Sequence, residues 1–368
     1  MSNPFSPSFG ATPPKLFGRS KELASFKEAL QEGPGSPGRA MLFTGARGMG
    51  KTVLLNEIEN IARDHGWETI SETATPGVAQ RLKETYLPLA LEAWQQNKPK
   101  SHITSVTVSG VGSISRSIQE EKPIPPTLRI LLSNFLDVLE ENGAGLLITL
   151  DEVHRDHIED LREIATAIQH LFREGRQIMF VAAGLPHAIH DLLNDNILTF
   201  LRRAERYSLG LLSPQTSRAS LAETFEEAGK SILPEALELA VSSSRGYPYL
   251  VQLLGYHAWR LARESGQINS EIMQEAAETA RSKLTYLVHE PALSTLSQGD
   301  LNFLRAMAQD KTESKIADIA ERLGKTVQEI SVYRRRLLKA EVIAATGHGK
   351  LSFVLPYIQE FIANELEE

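Results

Sequence analysis

Apolar and polar positions follow two periods along this chain, and the places where the period changes divide it. Short continuous apolar runs at Ala40–Phe43, Leu146–Leu150 and Gln177–Ala183 read as strands buried on both faces. Trp67–Thr73 and Tyr207–Leu211 complete a set of five. Between them, apolar residues recur at helical spacing: Leu23, Phe26 and Leu30; Leu54, Leu55, Ile58 and Ile61; Leu82, Tyr86 and Leu89; Ile158, Leu161, Ile164, Ile168 and Leu171. A continuous helix is predicted over Val78–Gln96, and Thr127 should cap another running through Leu139. Strands alternating with helices predict a parallel sheet with right-handed crossovers.

From Ser213 onward the period is purely helical. It predicts helices at about Pro214–Ala228, Pro234–Ser243, Pro248–Glu264 and Ser270–Val288, the first capped by Ser213 with proline at its first helical position. Farther on, Ser297 with Asp300 and Thr326 with Glu329 are capping pairs, and Ser314 opens a helix between them. Val342–Thr346 and Leu351–Leu355 alternate as strands around Gly347-His348-Gly349-Lys350. Three helices and a hairpin predict a winged helix–turn–helix, with Val327, Ile330 and Leu337 of its third helix facing inward.

The expected organisation is a flexible tail over 1–14, one of whose aromatic residues could dock on the body, an α/β core over 15–212, a helical lid over 213–290 and the winged helix over 291–368. An alternating segment at about 101–120 (Ile103, Val106, Val108, Val111, Ile114, Ile118) predicts a β-hairpin inserted in the core. It is either an ornament on the sheet edge or a contact for a partner.

Composition narrows the functions. The 368 residues carry a net charge of −7, so any nucleic-acid contact needs a local basic face rather than global attraction. With no cysteine there is no disulfide, thiolate metal site or cysteine nucleophile, which fits a cytoplasmic location. No apolar run approaches a membrane span and no secretion signal is seen, so no membrane partner is expected.

The chemistry begins after the first strand. Gly45-Ala46-Arg47-Gly48-Met49-Gly50-Lys51-Thr52 is G-x-x-x-x-G-K-T, between an apolar strand and an amphipathic helix. Glycines let the backbone N–H groups turn inward, and the helix beginning near Val53 aims its N-terminal dipole at the same anion. Lys51 is placed to reach β- and γ-phosphates, and the Thr52 hydroxyl to ligate Mg²⁺. A second apolar strand ends in Asp151-Glu152, where open α/β sheets bind ligands. Asp151 would hold Mg²⁺ and Glu152 would polarise the attacking water. Together these predict a P-loop NTPase fold using ATP or ADP with Mg²⁺. On the third winged helix, Gln328, Ser331, Arg335 and Lys339 fall on one stripe, with Lys350 in the wing. This face either meets duplex DNA or is a solvated surface of a packing module.

With these motifs in place, the chain resembles P-loop ATPases of the AAA+/STAND type, and in particular bacterial and archaeal ATP-binding proteins with an origin-recognition-like ATPase domain. Phe17-Gly18-Arg19-Ser20-Lys21-Glu22-Leu23 looks like the motif that in the family lies beside the adenine. Gly246-Tyr247-Pro248 looks like the G-x-P motif of the nucleotide-sensing lid. The resemblance implies an ATPase acting as a switch, with Phe17, Gly18, Arg19, Tyr247 and Pro248 at the nucleotide. Two departures imply slow hydrolysis: Ala183-Gly184 stands where many members place a polar sensor, and Gly-Tyr-Pro where others supply an arginine, with Arg245 adjacent. Arg202, Arg203 and Arg206 precede the last strand, where a family arginine can enter a neighbour's site. They are either such fingers in a homo-oligomer or a solvated helix end. A protein partner in place of DNA is the alternative reading, the winged helix then packing on protein.

Overall fold

The computed structural model of the chain describes residues 2–8, 13–96, 126–154, 156, 158–263 and 266–364. The hairpin expected at about 101–120 lies outside the described residues.

Helix α1 (Ser20–Glu32) leads to strand β1 (Ala40–Thr44) and helix α2 (Lys51–Asp64). Then come β2 (Glu68–Thr73), α3 (Val78–Arg81), α4 (Leu87–Gln96), α5 (Leu128–Glu141), β3 (Leu146–Val153), α6 (Ile158–Arg173), β4 (Ile178–Gly184), α7 (Pro186–Leu193) and β5 (Glu205–Ser208). The strands form one parallel sheet in the order β2-β3-β4-β1-β5. Alternate residues of each strand leave by opposite faces. Met41, Phe43, Leu147, Met179 and Val181 pack with Phe26, Leu54 and Ile58 of α1 and α2. Leu42, Ile148, Phe180 and Ala182 pack with Leu132, Phe135, Ile164 and Ile168 of α5 and α6. Burial on both faces is why these segments are continuous apolar runs.

Two core elements differ from expectation. The last strand is Glu205–Ser208 rather than Tyr207–Leu211. Tyr207 pairs with Phe43 of β1, their rings 5.4 Å apart, and Leu209 makes a final hydrogen bond to Thr44 before the chain leaves the sheet. The helix expected over 78–96 contains a π-helical turn at Leu82–Tyr86. The Tyr86 hydroxyl donates to Glu72 of β2, a tie that accompanies the local change in winding.

The lid consists of α8 (Pro214–Glu227), α9 (Pro234–Ser244), α10 (Pro248–Leu261) and α11 (Ser270–Leu284). Ser213 and Asn269 cap the first and last through their side chains. The segment is not purely helical: β6 (Ser231–Ile232) pairs in parallel with β7 (Gln267–Ile268). The N-terminal segment docks one aromatic residue on the lid. Phe5 is buried, 4.7 Å from the Phe225 ring, while Asn3 donates to the Tyr256 carbonyl and the Ser6 amide to Gln252. Removing an aromatic ring from water, together with the two hydrogen bonds, offsets part of the cost of ordering these residues.

After α12 (Glu290–Ser294), the winged helix–turn–helix is built from α13 (Gln298–Ala308), β8 (Ser314–Lys315), α14 (Ile316–Arg322), α15 (Val327–Lys339), β9 (Ile343–Gly347) and β10 (Lys350–Phe353), with a closing helix α16 (Ile358–Asn364) that the sequence pattern did not reveal. Both expected capping boxes form. Ser314 does not cap α14. It is buried, its hydroxyl donates to the Met307 carbonyl, and its backbone pairs with β10. Val327 is 51% exposed instead of facing inward, whereas Ile330 and Leu337 are buried as expected. Tyr357 joins this unit to the lid: its ring lies under Arg245 and Arg281, and its hydroxyl donates to the Ser243 carbonyl.

Candidate nucleotide-binding site

β1 delivers the chain into the loop Gly45–Gly50, and Lys51 opens α2. Buried Met49 anchors the loop from within, while Arg47 is exposed. Lys51 Nζ donates to the carbonyls of Gly45 (2.6 Å) and Ala46 (3.1 Å), so it already folds back over the loop it would serve. Burial holds its ammonium below the ordinary lysine range, opposed by the negative charges of Glu341, Asp151 and Glu152.

The two acids stand at the far end of β3. Thr52 Oγ1 donates to Asp151 Oδ2 at 2.5 Å, which ties the start of α2 to β3. The ladder between β3 and β4 breaks between Leu150 and Val153. Within the break Glu152 has φ 54°, and its amide donates to Asp151 Oδ1 at 2.8 Å. A left-handed non-glycine residue costs about 1–2 kcal/mol, and bulges of this kind re-aim a side chain next to a site. Glu152 is exposed as a result. Across the break, a Cβ on Gly184 would stand 2.9 Å from the Val153 carbonyl oxygen. At Gly184 the end of β4 therefore has no room for a side chain without a shift of the Val153 backbone. A cleft of about 250 Å³ opens beside Asp151, lined with it by Thr52, Leu55, Asn56, Ser71, Glu72 and Thr73.

The lid closes the other side. Tyr247, 1% exposed, donates its hydroxyl to the Arg47 carbonyl at 2.8 Å, and burial pushes its phenol well above the usual range. A Cβ on Gly48 (φ 75°) would lie 2.1 Å from that hydroxyl, so glycine is required there by approach as well as by backbone. Pro248 begins α10 immediately behind. Arg19 is buried and donates to the carbonyls of Met49 (3.1 Å) and Gly210 (2.9 Å). These bonds to backbone let it steady the loop. Gly18 abuts Leu212 and Thr216 of the lid, and Phe17 lies half-buried under Lys15. Gly45 to Val53, Phe17 to Arg19, Tyr247 and Pro248 thus come together, with Asp151 and Glu152 beside them.

The remaining candidates lie elsewhere. Arg202 Nε donates to the Leu193 carbonyl at the end of α7, Arg206 donates to the Arg202 carbonyl, and Arg203 is exposed. Gln328, Ser331, Arg335 and Lys339 are exposed along α15. The Ser331 hydroxyl turns back to the Gln328 carbonyl, and Lys350 is held by Glu313 at 3.0 Å, so neither is as free as the sequence suggested.

Three residues at the site were not foreseen. His154 after β3 and His187 in α7 meet edge to face, 5.8 Å between ring centres, and burial lowers the His187 pKa, helped by His154 and by Lys339 of α15. Glu341, in the turn between α15 and β9, has φ 56° and both carboxylate oxygens buried without a hydrogen-bond partner. Burial raises its pKa to about 7, against the pull of Lys51 and Arg47. The one local signal was a glutamate just past a helix end, where glycine is the common choice.

A parallel sheet in this order, with a glycine loop and a helix after β1 and acids at the end of β3, is the architecture of a P-loop NTPase. Residues 15–181 match the AAA ATPase domain family, and with this fold the match makes the protein an ATPase. Residues 287–362 match a domain family of unknown function. A comparison with curated proteins returned no match. Among solved structures, the Walker-type ATPase of Pyrococcus abyssi is similar at TM-score 0.62 and 18% identity, over 95% of this chain and 97% of that one. The ORC2 protein of Aeropyrum pernix, in its ADPNP–ADP complexes, is similar at TM-score 0.59 and 16% identity, over 98% of both chains. Cdc6p from Pyrobaculum aerophilum follows at TM-score 0.50 and 15% identity, over 98% of both. At these identities the likeness is one of fold.

Proposed function

We propose that this chain is a nucleotide-driven switch of the AAA+/STAND kind, in which ATP with Mg²⁺ sits between the α/β core and the lid, slow hydrolysis resets the state, and the winged helix meets duplex DNA. The observation that carries this reading is the Tyr247 hydroxyl on the Arg47 carbonyl: the lid rests directly on the loop that would wrap the phosphates. Any rearrangement of that loop on binding is felt by α10 and, through Tyr357, by the winged helix.

In this reading Gly45 to Thr52 wrap the phosphates, and Lys51 exchanges its carbonyl partners for phosphate oxygens. Thr52 and Asp151 are an oxygen-only pair of the kind Mg²⁺ prefers. Among the described residues no three His, Cys, Asp or Glu side chains gather around a common point, so the pair would rely on phosphates and water for its other ligands. The ion, when bound, supplies charge neutralisation on the phosphates. Glu152 orients the water, and the space closed off by Gly184 leaves that water without a second polar guide, which supports slow turnover. Exposed Arg203 is the finger candidate for a second copy's site. Gln328, Arg335 and Lys339 form the DNA face, with Ser331 and Lys350 in minor roles. The exposed Val327 and Val332 on the same helix favour one alternative, a protein partner in place of DNA.

The test is ATP turnover by the full chain, with and without random duplex, at several protein concentrations, for wild type and Glu152→Gln. Glu152→Gln is expected to bind ATP and not turn it over, and unaltered turnover would remove Glu152 from its role. Stimulation by duplex supports the DNA reading. Turnover that rises with protein concentration alone supports assembly through Arg203.

A further inference from the structure

We propose that Glu341 is a built-in competitor for the cations of the phosphate site, so that nucleotide binding and the docked position of the winged helix oppose one another. This rests on the reading of Gly45–Val53 as a nucleotide site and adds how that site is regulated.

Three observations meet at this residue. The turn carrying it is firmly placed: Leu337 precedes it and Val342 and Ile343 follow it, all buried, and Glu341 itself takes a left-handed backbone. Side chains other than glycine hold that conformation only where surroundings enforce it. Its two carboxylate oxygens are removed from water and receive no hydrogen bond in exchange. Such burial of an anion is costly unless a charge partner compensates. The charges that face it are Lys51 and Arg47 of the P-loop, and Glu341 acts on Lys51 more strongly than Asp151 or Glu152 do. A buried anion without a hydrogen-bond partner thus stands within electrostatic reach of cations whose role is to hold an anion.

A nucleotide's phosphates would bring several negative charges to the same place. Like charges in a shared low-dielectric space repel strongly. Phosphates can also accept from Lys51 and the loop amides at once, whereas Glu341 accepts from neither. The nucleotide displaces the carboxylate, which regains its water. The end of α15 follows, taking Lys339 away from His187, on which its charge acts in the docked state. By reciprocity, a duplex or protein that draws α15 away raises nucleotide affinity by the same factor.

The experiment measures equilibrium binding of ATP and of ADP, each with Mg²⁺, to the full chain as wild type, Glu341→Gln, Glu341→Gly and Lys51→Ala. Glu341→Gly relieves the left-handed backbone and so covers a fold failure of the isosteric variant. Loss of the competing carboxylate should tighten binding about tenfold in either folded variant. In parallel, a dye pair on Gln328→Cys and Asp64→Cys, introduced into a chain with no cysteine of its own, should report a longer distance on adding nucleotide. Wild-type affinity in both folded Glu341 variants, with Lys51→Ala defective, overturns this proposal and leaves the site intact. Absence of nucleotide binding in every form, or full binding by Lys51→Ala, removes the site reading and the proposal together. An unchanged dye distance in saturating ATP also overturns it.

Discussion

At the scale of single residues, the glycine loop itself is steadied by side chains that donate to backbone. Lys51, Arg19 and Tyr247 all donate to carbonyls of the glycine loop or of the crossing next to it. Each such bond contributes about 1 kcal/mol net. Tyr247→Phe should therefore speed amide exchange across Gly48–Lys51 by about fivefold without exposing the ring's pocket. Exchange at the wild-type rate would mean that the hydroxyl does nothing to steady the loop. These three donors also mark how far the sequence could be read. The G-x-x-x-x-G-K-T spacing located the loop because glycine positions and a lysine are a local pattern. That Arg19 would also clamp the loop to the crossing depended on Gly210, which is 191 positions away. Glu341 was illegible for the same reason: its partners belong to the other end of the chain.

At the scale of elements, α15 carries the functional claim that is easiest to test. Its start is fixed by the Thr326–Glu329 box, and its core face by Ile330 and Leu337. The opposite stripe stays in solvent. If that stripe contacts phosphates, Arg335→Ala with Lys339→Ala should weaken duplex binding and lower the slope of log affinity against log salt by about 2, roughly 0.9 per lost contact. A slope that does not move would place those cations off the DNA. Elements with strong period and caps were legible here: both capping boxes, the proline starts of α8, α9 and α10, and the buried strands β1, β3 and β4. Those decided by tertiary pairing were not. β5 is an edge strand set by its register on β1, the Ser314 strand forms only because β10 lies beside it, and α16 is short enough that its few apolar residues left no period.

At the scale of the whole molecule, one apolar cluster runs from the P-loop face of the sheet through the lid into the winged helix, from Met49 by way of Leu250 and Leu284 to Leu337 and Ile358. The other face of the sheet has its own closed core around Phe135 and Ile168. Motion that alters the site is therefore expected on the first face, and the second serves as the fixed half. Among the described residues no helix is long and apolar enough to cross a membrane.

The docking of Phe5 has a mechanical side. Residues 2–8 belong to the lid while α1 belongs to the core, so the polypeptide passes between the two bodies once before Arg19 and again at Leu209–Ser213. These passages lie side by side, pinned by Arg19 to Gly210 and by Gly18 against Leu212. Two adjacent tethers act as a hinge pin: they permit the lid to swing about their common line and resist sliding or twisting. Arg19→Ala should broaden the distribution of lid orientations in single-molecule distance measurements, and a distribution as narrow as wild type would locate the pin elsewhere. A swing about one axis has a single coordinate, and along it each degree of opening at the phosphate loop would set one position of α15, as a door's angle sets the position of its handle.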